Sequence, residues 1–165
     1  MRQGEINFEG KNLVKDESDH EMNKIRGSQI SMIFQDPMTS LYTVYTIGKQ
    51  LEEVLLLHDN LSKTQRHERC VELLNSAGIS NAEKRLKNHP HEFSGGMRQR
   101  VVIAIALASN PKVIIADEPT TALDVTIQAQ ILRLMQKIVV ENNCSLILIT
   151  HDLAVILRRW RIGSM

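Results

Sequence analysis

The 165-residue sequence has few cysteines, no long apolar run and no apolar leader. Its two cysteines, Cys70 and Cys144, are isolated, which argues against a disulfide framework or a cysteine-rich metal site. The longest strongly apolar run, Val101 to Ala108, is far shorter than the ~20 residues that cross a bilayer. The first ten residues, MRQGEINFEG, lack the apolar core of a secretory signal. We therefore expect a soluble cytoplasmic protein that meets any membrane through a partner.

The sequence also lacks an excess of charge of either sign. Twenty Lys and Arg residues stand against 19 Asp and Glu residues, so the formal net charge is +1. A protein that coats a polyanion needs surplus positive charge to neutralise phosphates, so this balance argues against a nucleic-acid partner. Hydrophobic residues make up 42% of the chain, which suffices for the core of about one globular domain.

The hydrophobic pattern of the second half predicts an α/β core. Strands are expected at Val113–Ala116 and Leu146–Ile149, both buried as in a covered parallel sheet. A buried helix is predicted over 96–108, and an amphipathic helix over 125–140. Strand, helix and strand in this order indicate a right-handed parallel crossover.

The first half predicts short strands followed by a helical insert. Ile30–Phe34 is an apolar strand candidate, whereas residues 13–27 are polar and are expected to face solvent. Residues 47–86 have helical periodicity, and Ser62 with Gln65 forms a capping-box pattern at the start of a second helix. Because these helices lie between strand-bearing segments, we predict an inserted helical subdomain.

Charged residue pairs follow directly after the two strands of the second half. Asp117-Glu118 follows one strand and His151-Asp152 follows the other. Ligands of open parallel sheets bind at the carboxyl ends of the strands. There Asp117 could hold Mg²⁺ and Glu118 could polarise a water molecule. Taken alone, Asp117-Glu118 is more often a pair of solvated loop carboxylates, and a histidine such as His151 more often satisfies a local hydrogen bond.

A serine and two glycines precede the buried helix. Ser94, Gly95 and Gly96 could bind an anion, because a helix N-terminus offers free N–H groups and partial positive charge. An ordinary helix cap with a flexible turn explains the same three residues.

The combination of motifs is more specific than any one of them. Along the chain the motifs are, in order, MIFQDPMTSL, FSGGMRQR, VIIADEPTTALD and LILITHD. With these four motifs in this order, the sequence resembles the ATP-binding-cassette (ABC) ATPase family, and in particular its peptide and nickel importer branch, over about residues 4–155. The resemblance implies an α/β P-loop NTPase (RecA-like) core with an inserted helical subdomain, and ATP and Mg²⁺ as ligands.

The resemblance implies roles for four residues of the hydrolytic site. Gln35 matches the Q-loop glutamine that touches Mg²⁺ and the attacking water. Asp117 matches the Walker B aspartate that holds the metal, and Glu118 matches the catalytic glutamate. His151 matches the switch histidine that contacts the γ-phosphate.

The resemblance also implies a nucleotide-binding signature that acts on the opposite subunit of a dimer. Ser94, Gly95 and Gly96 match the motif that contacts the γ-phosphate of ATP held by that subunit. Met97 stands where many relatives have glutamine. Asp124 matches the D-loop aspartate at the dimer interface.

Several partners follow from the same resemblance. They are a second ABC ATPase subunit, two transmembrane permease subunits and, indirectly, an extracytoplasmic substrate-binding protein, with the chain at the cytoplasmic face of the membrane. We expect it to energise uptake of di- or oligopeptides. A nickel importer of the same branch, a non-transport ABC ATPase and a non-functional truncated remnant are the alternatives.

The sequence departs from the family in three places. No GxxxxGKS/T phosphate-binding loop occurs, so we expect the 165 residues alone to bind ATP poorly and to hydrolyse it at background rate. Tyr42-Thr43 replaces an expected Asn-Pro. We expect truncation at both ends, with a partial core over 1–46, the helical subdomain over 47–94, the rest of the core over 95–156 and an aberrant tail over 157–165.

Overall fold

The computed structural model describes residues 4–14, 19–58, 60–121 and 123–151. A short antiparallel hairpin of two strands opens this part of the chain, and a three-stranded parallel sheet follows with helices between its strands. The elements are β1 (Asn7–Phe8), β2 (Lys11–Asn12), α1 (Asp19–Ile25), β3 (Ile30–Ile33), α2 (Pro37–Ser40), α3 (Ile47–His58), α4 (Lys63–Ser76), α5 (Ala82–Arg85), α6 (Gly95–Leu107), β4 (Val113–Asp117), α7 (Val125–Glu141) and β5 (Ser145–Ile149).

The parallel sheet has the order β3-β4-β5, so β4 lies in the centre. Ile33 of β3 pairs with Ala116 of β4, and Asp117 of β4 pairs with Ile149 of β5. Helix α7 connects β4 to β5, which confirms the predicted α/β crossover between parallel strands. All three strands therefore end at the same edge of the sheet.

A strand forms at Leu146–Ile149 as predicted, but the prediction that this strand is buried is wrong. Ile147 and Ile149 are 52% and 47% exposed, whereas Leu146 and Leu148 pack against the core. The physical reason is that β5 is the edge strand of the described sheet and only one of its faces meets the core. The solvent-facing prediction for residues 13–27 is also incomplete, because α1 forms there and buries Ile25.

The capping box predicted for α4 is confirmed. Ser62 Oγ accepts a hydrogen bond from the Gln65 N–H at 3.3 Å, and the Ser62 N–H donates to Gln65 Oε1 at 2.9 Å. An apolar stripe of Cys70, Leu73, Leu74 and Ala77 is buried along this helix and its C-cap. Reciprocal capping satisfies N–H groups that the first turn of a helix leaves unpaired, which is why the helix begins here.

Helix α6 forms the centre of the core. It contacts α3, α4, α7 and β3, and Val101, Ile103 and Ala104 are almost wholly buried. An apolar surface on all sides of a helix suits a position surrounded by other elements. Helix α6 is therefore held between α3 and α4 on one side and α7 on the other.

Among the helices of the described ranges, none has the length and apolarity that crossing a bilayer requires.

Candidate functional site

Three polar side chains converge at the carboxyl edge of the parallel sheet. Gln35 lies two residues beyond β3, Glu118 directly follows β4, and His151 lies two residues beyond β5. Because the three strands are parallel neighbours, their ends lie side by side, and the residues that follow them share one edge of the sheet.

The Glu118 carboxylate is the hub of this group. Gln35 Nε2 donates to Glu118 Oε2 at 2.9 Å, and the Thr121 hydroxyl donates to the same oxygen at 3.0 Å. His151 Nδ1 lies 2.8 Å from the other oxygen, Oε1. We call these four residues, Gln35, Glu118, Thr121 and His151, the Glu118 cluster.

The backbone of Glu118 is held in an unusual conformation. Its φ angle is 46°, in the left-handed region that few residues other than glycine adopt. The Glu118 N–H donates to the Ile149 carbonyl at 2.9 Å, and the Thr121 N–H donates to the Glu118 carbonyl at 3.1 Å. Such a conformation persists only where the surroundings impose it, and here β5 and the following turn do so.

These contacts lower the pKa of Glu118 below the ordinary glutamate value. The hydrogen bond from His151 is the largest cause and the hydrogen bond from Thr121 is the second. Because an ionised carboxylate only accepts hydrogen bonds, Nδ1 is the ring atom of His151 that carries a hydrogen here. In a neutral ring Nε2 is then the acceptor.

The residues predicted to hold Mg²⁺ offer oxygen donors at the same edge. Asp117 is half-buried and ends β4. Gln35 gives its amide nitrogen to Glu118, so its carbonyl oxygen is the atom that could bind a cation. The described residues contain no group of three His, Cys, Asp or Glu side chains that would hold a metal by themselves. Mg²⁺ usually takes one or two protein carboxylates and completes its shell with water and phosphate, so this donor set fits it.

The signature segment implied by the resemblance, Ser94 to Met97, lies at the N-terminus of α6. Ser94 is the N-cap, and its hydroxyl oxygen accepts from the Met97 N–H at 3.4 Å. Gly95 and Gly96 form the first two helical positions, and Met97 packs partly buried against the core.

The first turns of α6 and α7 are in close contact. A Cβ atom added to Gly96 would lie 2.7 Å from Ile127 Cγ2, and one added to Gly95 would lie 3.7 Å from Leu123 Cδ2. Asp124 caps α7 by accepting from the N–H groups of Thr126 at 3.1 Å and Ile127 at 3.0 Å. We call Gly95, Gly96, Leu123, Asp124 and Ile127 the α6–α7 junction.

The predicted site residues thus fall into two groups. The structure joins Gln35, Glu118 and His151 through hydrogen bonds, whereas Ser94 and Asp124 each cap the first turn of a helix. Sequence reasoning missed Thr121 as a partner of Glu118. Its position three residues after Glu118, in a turn that contains a proline, was the available signal. Asp152 and the 157–165 tail lie outside the described residues.

Comparison with known families gives one match that covers most of the chain. A sequence profile described as ABC transporter matches residues 1–121.

Curated proteins with similar sequences are named for peptide transport. The chain is 60% identical over 156 residues to the oligopeptide transport ATP-binding protein OppD of Bacillus subtilis, covering 94% of this chain and 43% of that protein. It is 54% identical over 155 residues to the dipeptide transport ATP-binding protein DppD of Lactococcus lactis, covering 93% and 44%. The chain therefore spans less than half the length of these relatives.

Solved structures support the same fold. A dimeric post-hydrolysis state of the ATP-binding cassette MJ0796, bound to ADP and Pi, superposes with a TM-score of 0.78 at 33% identity, covering 93% of this chain and 65% of that one. The cbiO1 protein of Clostridium perfringens, part of the cbiONQ ABC transporter complex, also has a TM-score of 0.78, at 29% identity, covering 91% and 57%.

Proposed function

The chain belongs to the ABC transporter family, and from this premise we propose that it is the ATP-binding subunit of an importer of oligopeptides or dipeptides. The observation that carries the hydrolytic part of this proposal is the convergence of Gln35, Glu118 and His151 at one sheet edge. The peptide substrate is supported by the names of the similar curated proteins.

The geometry of the Glu118 cluster suits phosphoryl transfer to water. This reaction needs an oriented nucleophile and stabilisation of charge more than covalent help from the protein. We assign Glu118 the role of polarising the attacking water, because its carboxylate is ionised and held by three donors. A positioned base of this kind contributes ~10²–10⁴ in rate.

The neighbouring residues orient Glu118 and hold the metal. Gln35 and His151 each bond one oxygen of the Glu118 carboxylate, so the orientation of this carboxylate towards the attacking water is set from two sides. Asp117 and the carbonyl oxygen of Gln35 would hold Mg²⁺. When bound, that ion would supply charge neutralisation on the β- and γ-phosphates. In His151, Nε2 would be the ring atom that contacts a γ-phosphate while Nδ1 contacts Glu118.

The signature segment acts on a second nucleotide in this proposal. The bond from the Met97 N–H uses a lone pair of the Ser94 hydroxyl, so the Ser94 O–H hydrogen can donate to a phosphate oxygen. The N-terminus of α6 adds free N–H groups and partial positive charge. We propose that this segment contacts ATP held by a second ABC ATPase subunit.

The remaining partners complete the proposed importer. Two transmembrane permease subunits would carry the peptide, an extracytoplasmic binding protein would deliver it, and the chain would lie peripherally at the cytoplasmic face. The division into a core over 1–46 and 95–156 and a helical subdomain over 47–94 is part of the same proposal.

Reconstituted transport tests this function. The 165-residue chain is assembled in liposomes with the two permease subunits, a second ATPase subunit that carries GxxxxGKS/T, and the peptide-loaded binding protein. We expect ATP-driven uptake of a labelled oligopeptide or dipeptide that disappears when Ser94→Arg places a bulky cation at the N-terminus of α6.

Two results would overturn the peptide assignment. One is the absence of uptake and of peptide-stimulated ATP hydrolysis in a correctly assembled complex. The other is uptake of Ni²⁺ but of no peptide under the same conditions, which would favour the nickel alternative.

A further inference from the structure

Ile127 packs very closely on Gly96, the second glycine of the signature segment. The contact at the neighbouring Gly95 is looser. A Cβ atom placed on Gly96 would lie 2.7 Å from Ile127 Cγ2, whereas one placed on Gly95 would lie 3.7 Å from Leu123 Cδ2. The second value is an ordinary van der Waals contact, whereas the first leaves no room for a side chain at Gly96.

The Ile127 methyl group cannot move aside cheaply. Cγ2 is bonded directly to Cβ, and a β-branched side chain in a helix has one strongly preferred χ1 rotamer. The Ile127 backbone is fixed as well, because its N–H donates to Asp124 Oδ1 at 3.0 Å. The rest of the side chain packs half-buried against the core. Only a shift of one helix relative to the other would make room.

We propose that Ile127 is a positioning residue for the signature segment: its Cγ2 methyl group packs on Gly96 and sets how closely the first turn of α6 approaches the first turn of α7. Asp124 acts through the same contact, since its carboxylate holds the Ile127 backbone. The consequence for ATP rests on the proposed function. Gly96 is thus required by a neighbour within its own chain, in addition to any requirement from a phosphate.

A pair of similar substitutions at position 127 distinguishes this contact from general loss of packing. Ile127→Val keeps a branched Cβ and the methyl group that meets Gly96. Ile127→Leu keeps the volume of isoleucine but moves the branch one carbon outward, which removes that methyl group. Ile127→Leu conserves volume and Ile127→Val removes one methylene group from a half-buried side chain, so both are mild changes that serve as backgrounds for Gly96→Ala.

Thermal melting of the full chain provides the first test. Helix propensity alone predicts that Gly96→Ala raises the melting temperature, because alanine is the better helix former. We expect instead a fall of roughly 5 °C in the wild-type and Ile127→Val backgrounds and little or no fall in the Ile127→Leu background. Gly95→Ala should not lower the melting temperature. Equal effects of Gly96→Ala in all three backgrounds would overturn the proposal.

The KM for ATP of the assembled transporter provides the second test. We expect Gly96→Ala to raise the KM by at least ~10-fold, because a displacement of about 1 Å in a positioned group can cost that much or more. Adding Ile127→Leu, but not Ile127→Val, should bring the KM back towards the wild-type value. An unchanged KM in Gly96→Ala would contradict the positioning role. If the wild-type assembly hydrolyses no ATP, the proposed function has failed, while the melting comparison still decides whether Ile127 positions Gly96.

Discussion

The Glu118 cluster and the α6–α7 junction are built by different physical means. In the Glu118 cluster, side chains from three strand ends and a turn meet through hydrogen bonds of 2.8–3.0 Å, and the His151 side chain is 74% exposed. In the α6–α7 junction, a glycine and an isoleucine methyl group are packed so closely that no added atom fits.

This difference matters for what each region can do. Hydrogen bonds to a carboxylate that is partly open to solvent can exchange for bonds to water or to a ligand at little cost, so the Glu118 cluster can rearrange when a substrate binds. A close-packed helix contact cannot exchange its partners and transmits displacement instead. We infer that the Glu118 cluster adjusts to the nucleotide while the α6–α7 junction keeps the signature segment in place.

The largest expected effect comes from the helix cap at the signature segment. Ser94→Ala removes the hydroxyl proposed to donate to a phosphate, and loss of one preorganised donor typically costs ~10²–10³ in rate. We expect ATP turnover of the assembled transporter to fall by about 10²-fold. Steady-state hydrolysis by the purified assembly measures this change.

Ser62→Ala is the matched control for that change. Ser62 caps α4 as Ser94 caps α6, through a hydroxyl that accepts from the N–H three residues later. Each substitution should lower the free energy of unfolding by ~1 kcal/mol, but only Ser94→Ala should impair turnover. Equal loss of turnover in the two variants would mean that Ser94 acts through stability alone.

A smaller effect is expected from the cap of α7. Asp124→Ala leaves the N–H groups of Thr126 and Ile127 without their acceptor, which should cost ~1 kcal/mol of unfolding free energy. Asp124→Asn keeps an acceptor oxygen and should cost less. Urea unfolding of the two variants measures this, and an Asn variant as unstable as the Ala variant would show that the cap is not the stabilising feature.

The smallest effect is a change in the ionisation of Glu118. His151→Ala should raise its pKa towards the ordinary value, and Thr121→Val should raise it less, because the His151 hydrogen bond is the larger cause of the lowered value. Carbon-13 NMR titration of the carboxyl group measures both shifts. A larger rise in Thr121→Val than in His151→Ala would reverse the assigned order of the two bonds.

The same lowered pKa fixes the direction of a pH effect on stability. The folded-state pKa of Glu118 lies below its unfolded value, so the ionised carboxylate favours the fold above the ordinary glutamate pKa. That contribution is lost as the pH falls through the lowered folded-state value. His151→Ala should flatten this part of the stability profile.

Local sequence signals predicted the longer helices α3, α4, α6 and α7 and the central strand, because each carries its own periodic pattern. They did not predict α1, which forms in a polar segment. The capping box at Ser62 is hydrogen-bonded as predicted. Helix α7, predicted to be amphipathic, buries one side that consists of Ile131, Leu134, Met135 and Ile138. The exposure of β5 was not predictable in this way, because an apolar strand can have the same residue types at the edge of a sheet as in its centre.

The candidate site was predictable as a set of residues but not as a geometry. Strand ends indicated that Glu118 and His151 lie at one edge of the sheet, because parallel strands bring their ends together, and only the family resemblance added Gln35 to this set. The left-handed backbone of Glu118 and the bond from Thr121 depend on a turn that no periodic pattern specifies. The contact between Gly96 and Ile127 joins residues 31 positions apart, and only the packed helices reveal it.

The decisive measurement is ATP hydrolysis by the 165-residue chain, first alone and then with a second subunit that carries GxxxxGKS/T. We propose that these residues supply the Glu118 cluster and the signature segment of an ABC ATPase, but no loop that holds the β- and γ-phosphates. We predict a background rate for the chain alone and a gain in turnover on mixing. Turnover by the chain alone that Glu118→Gln abolishes, or no gain on mixing, would contradict the account.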